Sequence, residues 1–152
     1  MNTDIPTVRA ILRRSMVARI ATISRNGRPN INPLYFVYVN GRIWLGTSDW
    51  TLAARNVRAD PRVSILFEVE QDHAPRRLLR VSGCATERTD AKTVRSFIWR
   101  VTRKYYLTPG GIFNTLAHAR LLWTMHVYHT QSAQKGAACV IEVIPEHASF
   151  LG

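Results

Sequence analysis

Apolar positions change their period several times along the chain. Val8, Ile11 and Leu12 share one helical face between Ile5 and Met16, with Arg9, Arg13 and Arg14 elsewhere and Pro6 suited to a first turn. From Ala18 to Ser24 the pattern becomes alternating and β-branched, which predicts a strand. Asn26-Gly27, inside Arg25–Pro29, is a hairpin signal. A second strand is expected from Asn30 to about Val39, and Pro33 within it points to an edge, a bulge or a ligand-facing irregularity. Asn40-Gly41 gives another tight turn into Arg42–Thr47. The three strands read as a meander joined by two two-residue turns.

Ser48 or Asp49 is the expected cap of a helix running to Asp60, with Leu52, Arg55, Asn56 and Ala59 at helical spacing and Asp60-Pro61 as its stop. Val63–Val69 and Leu78–Thr86 read as the fourth and fifth strands, separated by a charged loop. Thr89-Asp90 starts a helix whose apolar stripe is Val94, Phe97, Ile98, Val101 and Tyr105. After the break at Pro109-Gly110-Gly111, Ile112 to about His129 is helix-compatible, and Thr130–Ala138 is a polar linker. Cys139–Ile144 is the last strand, ended by Pro145. The expectation is a mainly β, α+β fold: one domain over residues 1–152, a six-stranded antiparallel barrel, closed or split, with 108–138 as a variable helical insertion before the last strand.

The chain carries 21 basic and 10 acidic residues, a net charge of +11, with Lys only at Lys92, Lys104 and Lys135. Such a charge favours anionic partners, but the Arg residues are scattered, as on an ordinary solvated surface. There is no helix-turn-helix, aromatic RNA-binding signature or zinc finger, so no nucleic acid is expected. Cys84 and Cys139 sit in apolar strand contexts and read as buried, inert thiols. Arg9, Arg13, Arg14 and Arg19 break up the N-terminal region, so neither a secretory signal nor a membrane span is expected and the cytoplasm is the expected location.

Ala21-Thr22-Ile23-Ser24, Asn26-Gly27-Arg28-Pro29 and Ile31-Asn32-Pro33-Leu34-Tyr35 follow one another in order. After them come Ile43-Trp44-Leu45-Gly46-Thr47-Ser48, Ala54 to Val63 and Val140–Pro145. This series resembles the pyridoxamine phosphate oxidase-like, FMN-binding split barrels over roughly residues 15 to 86 and 139 to 150. The resemblance implies a homodimer holding FMN or a deazaflavin (coenzyme F420) in a cleft between subunits, with hydride transfer as the chemistry. It places Arg28, Asn32, Pro33 and Leu34 by the cofactor ring and Thr47, Ser48 and Arg55 by its phosphate, where a helix start and a guanidinium both favour an anion. Asn56 is expected to brace the helix. The plainer reading of the same residues is a bulge at Asn32-Pro33 and a cap at Ser48. One departure matters: the family's Arg-x-Lys pair is here Thr51-x-Ala53, which leaves Arg55 alone on the phosphate unless Arg76, Arg77 or Arg80 joins it, or leaves the site without cofactor.

Residues 108–138 lie outside the familiar pattern. His126 and His129 share a helical face, a spacing compatible with metal or haem iron, but no Glu-rich companion motif accompanies them, so packed histidines are expected and no metal. Trp123 and its apolar neighbours read as a lid or a substrate-pocket wall. The leading functional expectation is a flavin- or deazaflavin-dependent oxidoreductase acting on a small, apolar molecule, with no evident acid or base; Tyr35 and Tyr38 are unranked proton-donor candidates. The alternative is a non-catalytic binding module for flavin, haem or another anionic ligand.

Overall fold

The computed structural model describes residues 6–68, 78–109, 112, 116 and 134–151. The elements in chain order are α1 (Pro6–Arg14), β1 (Ala18–Ile23), β2 (Pro29–Leu34), β3 (Phe36–Val39), β4 (Arg42–Ser48), α2 (Leu52–Ala59), β5 (Arg62–Phe67), β6 (Leu78–Arg88), α3 (Ala91–Tyr105) and β7 (Ala138–Leu151). All neighbouring strands pair antiparallel in the order β2-β1-β5-β6-β7-β4-β3, a sheet curled into a half-barrel.

The sheet has seven strands where the sequence predicts six. The expected strand from Asn30 to Val39 is broken at Tyr35 into β2 and β3, which lie at opposite ends of the sheet. The meander is therefore two hairpins, β1–β2 and β3–β4, joined by one residue. The Tyr35 carbonyl accepts from the Gly46 N–H at 3.0 Å, which fastens this corner to β4.

Of the two predicted turns, Asn40 (φ 49°) and Gly41 (φ 80°) both take positive φ, as a two-residue hairpin turn requires. At Asn26-Gly27 only Gly27 does (φ 74°), and the Ser24 N–H donates to the Arg28 carbonyl at 2.9 Å. That hairpin thus closes on a longer loop ending in a left-handed glycine, because Asn26 keeps an ordinary φ.

β7 does not stop at Pro145 but runs on to Leu151. Pro145 is accommodated by a bulge: Gly83 faces Pro145 and Ser82 faces His147, leaving Glu146 over. A Cβ at Gly83 would strike the Ile144 carbonyl, so the close approach of the two backbones needs glycine. Cys139 is buried as expected, whereas Cys84 is exposed, one residue beyond the bulge.

The core follows from alternation on the strands. Ile20, Ile43, Leu45, Ile65, Phe67, Leu79, Val81, Ile141 and Val143 point inward with Phe36 and are closed over by Val8, Ile11 and Leu12 of α1 and by Ala53 and Val57 of α2. A smaller cluster of Val37, Val39, Val140 and Phe97 seats α3 on the sheet. Of the stripe expected on α3, Phe97 packs there with Val94 and Val101 against it, but Ile98 is 53% exposed. α3 crosses the sheet through one side only, so Ile98 turns outward beside the exposed Trp99.

Candidate functional site

Two strand segments and one helix start carry the residues singled out above. On β2, Asn32 stands opposite Ile20 and Pro33 opposite Arg19, with Asn32 and Leu34 half-buried and Pro33 exposed. Leu34 packs on the main core, and Pro33 fits an edge strand, which needs no inward N–H. The Asn32 Oδ1 is buried and has no hydrogen-bond partner. A buried, unpaired acceptor costs about 1–3 kcal/mol, so such an atom calls for a donor from water or a ligand, as do Ser15 Oγ and Ser149 Oγ. Arg28 is exposed at the loop before β2, its backbone N–H donating to Ser24 Oγ at 3.1 Å.

The second group sits where β4 runs into α2. The helix cap is Thr51, not Ser48 or Asp49. Thr51 Oγ1 accepts from the Ala54 N–H at 3.4 Å and donates to the Ser48 carbonyl at 2.8 Å, and it lies 2.9 Å from Thr47 Oγ1. Thr51 is reached one turn later than predicted because Asp49 and Trp50 form a turn first, with the Thr51 N–H bonded to the Ser48 carbonyl at 3.0 Å. Threonine is among the better caps, so this role was readable from residue type. Arg55 is exposed, and its guanidinium makes no hydrogen bond or ion pair with any described residue.

Behind this corner, Asn56 Nδ2 donates to Thr22 Oγ1 at 3.0 Å, both groups buried. Asn56 thus braces α2 against β1. Ala53 is buried in the core, so the lysine that the resemblance implies at this position would have to disturb the packing there. The two groups of residues meet through the backbone: Tyr35, next after Leu34, is bonded to Gly46, next before Thr47.

Other expectations fall elsewhere. Arg80 is exposed on β6, and Arg76, Arg77, Trp123, His126 and His129 lie outside the described residues, as does most of 108–138. Among the described residues no group of His, Cys, Asp and Glu is arranged for a metal ion. Tyr35 is 46% exposed, its ring edge-on to Tyr105 at 4.9 Å, and Tyr38 packs against the core. Burial pushes the Cys139 thiol up to about 12, and Cys84 is raised by donating its S–H to the Glu146 carboxylate, so neither offers a thiolate at neutral pH.

Two of the clefts on the described residues are lined by none of Arg28, Asn32, Thr47, Ser48 or Arg55.

An antiparallel half-barrel with helices α1, α2 and α3 among the described residues and a polar corner at the β4–α2 junction defines an α+β split-barrel protein. The chain belongs to the pyridoxamine 5'-phosphate oxidase family, whose model matches residues 5–152. No curated protein sequence matches it. Similar solved structures include the conserved hypothetical protein Rv2991 from Mycobacterium tuberculosis, with a TM-score of 0.71, 18% identity and coverage of 96% of this chain and 82% of that one. An F420 reductase follows at 0.64 and 20%, covering 92% and 94%. The haem storage protein HutZ from Vibrio cholerae stands at 0.64 and 18%, covering 97% and 92%. Identities this low establish a shared fold.

Proposed function

We propose that the chain is a flavin- or deazaflavin-dependent oxidoreductase that works as a homodimer on a small, apolar molecule. The observation that carries this reading is the buried, unpartnered Asn32 Oδ1 on β2. The pyrimidine edge of a flavin or deazaflavin carries a ring N–H, the kind of donor this acceptor lacks. Pro33 and Leu34 would lie along the same ring with Arg28 at its rim. Thr47, Ser48 and the free N–H groups at the start of α2 would meet the phosphate, together with the unpaired guanidinium of Arg55.

When bound, the cofactor supplies the hydride chemistry. The chain's own part is to orient the ring through Asn32, to anchor the anion through Arg55 and the hydroxyls, and to exclude water through the partner subunit. Family membership and the F420 reductase fold match support the cofactor class.

A second reading, a binding module without turnover, draws on two facts. Thr51 and Ala53 replace the expected basic pair, and Ala53 is buried. Haem-binding relatives of this fold, HutZ among them, make haem a ligand to test.

The experiment is a visible absorption titration with FMN, the deazaflavin and haem. A saturable flavin or deazaflavin signal is expected, and Arg55→Ala should weaken it roughly tenfold to a hundredfold, the effect of losing one charge-assisted contact. Asn32→Leu should weaken it comparably. Tight binding without reduction of any acceptor would favour the module. Absence of binding to all of these would remove both readings.

A further inference from the structure

A cleft of about 670 Å3 lies away from that corner, between the end of α1, strand β3 and one face of α3. α1 contributes Leu12 and Arg13, and β3 contributes Val37 and Tyr38. Ser96, Trp99, Arg100, Arg103 and Lys104 come from α3 at the spacing of a single helical face. The lining thus holds three arginines, one lysine and no carboxylate.

Five of the seven acids among the described residues are engaged elsewhere. Glu68, Glu87, Glu142, Asp60 and Asp90 pair with Arg19, Arg58, Arg42, Arg62 and Arg88. Arg13, Arg100, Arg103 and Lys104 form no ion pair with any described residue. Arg100 faces Arg103 and Lys104 at three and four residues' separation, a spacing at which like charges weaken a helix. The helix dipole accounts for Arg103 and Lys104 in the last turn, but not for Arg100 or for Arg13 on a different element.

Lys104 also points inward. Its Nζ lies 3.6 Å from the centroid of the Phe36 ring and donates to the Phe36 carbonyl at 3.4 Å. Trp99, among these cations, is 62% exposed and presents its ring to solvent. A concave lining with converging positive charge and an open indole face suits a ligand with an acidic end and a flat apolar body.

We propose that this cleft binds a small organic acid, its carboxylate met by Arg13, Arg100 and Arg103 and its planar apolar body laid against Trp99. The site is independent of the proposed cofactor corner and shares no residue with it. A second copy of the chain is a poor occupant, since it would bring the same cations to the same face. A nucleic-acid strand or an acidic bilayer calls for a strip of cations along a surface, whereas these converge on one cleft.

Anthracene-9-carboxylate and its neutral counterpart, anthracene-9-methanol, are the probes, followed by fluorescence anisotropy on the full chain. Saturable binding of the acid is expected, with the alcohol at least about tenfold weaker. R100Q and R103Q each weaken the acid several-fold and leave the alcohol unchanged, while W99A weakens both probes. These exposed side chains contribute little to folding, and circular dichroism of each variant checks that. R55A leaves acid binding intact, which separates this site from the cofactor site. Equal binding of acid and alcohol, or acid binding indifferent to R100Q and R103Q, overturns the proposal. Displacement of the acid by a short single-stranded oligonucleotide or phosphatidylglycerol vesicles at far lower concentration would also overturn it, in favour of a macromolecular anion.

Discussion

Lys104 is the titratable side chain whose burial has the clearest consequence. Desolvation lowers its pKa from 10.5 to about 7, so the folded chain gives up this proton several pH units earlier than the unfolded chain. Between those values the unfolded state binds more protons, and stability from this group rises with pH. Urea midpoints should therefore increase from about pH 7 to about pH 9, and Lys104→Met should flatten that rise. An identical slope in both proteins would assign the rise to another group. Above about pH 9 the trend reverses, because Cys139 and Tyr105 are pushed up to about 12 by burial and resist ionisation only when folded. Gly46 is the second sensitive position, since a Cβ there would run into the Phe97 ring. Gly46→Ala should cost about 1–3 kcal/mol in urea unfolding, the usual penalty of overpacking. A neutral result would mean that α3 can shift on β4 freely.

At the scale of elements, α2 is held by one buried polar contact, Asn56 to Thr22, added to its apolar face of Ala53, Ala54 and Val57. Asn56→Ala strips the partner from a buried hydroxyl and should destabilise by about 1–3 kcal/mol, with Thr22→Val partly restoring the loss because it removes the orphaned hydroxyl. Additive losses in the double variant would sink the brace. The sequence shows most of these elements clearly, because period-two alternation survives wherever one strand face is buried, as on β1, β5 and β6. It does not show the break at Tyr35, where an apparently continuous run leaves one sheet edge for the other. No local residue type announces that step; the Gly46 N–H bonded to the Tyr35 carbonyl fixes it. Pro145 misleads for a related reason, since a bulge opposite Gly83 absorbs it and the strand continues. The cleft beside α3 was not legible, because its basic residues come from two elements far apart in the chain, α1 and α3.

For the whole molecule, the sheet ends in β2 on one side and β3 on the other, and the proposed cofactor corner would need a partner to cover it. A net charge of +11 makes self-association unfavourable wherever arginines face each other. β2, Pro-Asn-Ile-Asn-Pro-Leu, carries no charge, and its Ile31 is 65% exposed beside the 46%-exposed Tyr35. Its two prolines discourage strand-to-strand addition, so the proposed dimer contact is made through side chains on the face of β2. Light scattering should give a mass near twice the chain's 17.3 kDa. Because the residual repulsion is screened by salt, the dimer should tighten as sodium chloride is raised from about 50 mM to about 500 mM. Ile31→Lys adds charge to that face and should yield monomers that also lose FMN or deazaflavin binding, while anthracene-9-carboxylate binding at the α3 cleft persists. A wild-type protein that stays monomeric across these conditions would leave Asn32 and Arg55 with no subunit to close over them, and the shared-site reading would fall with the dimer.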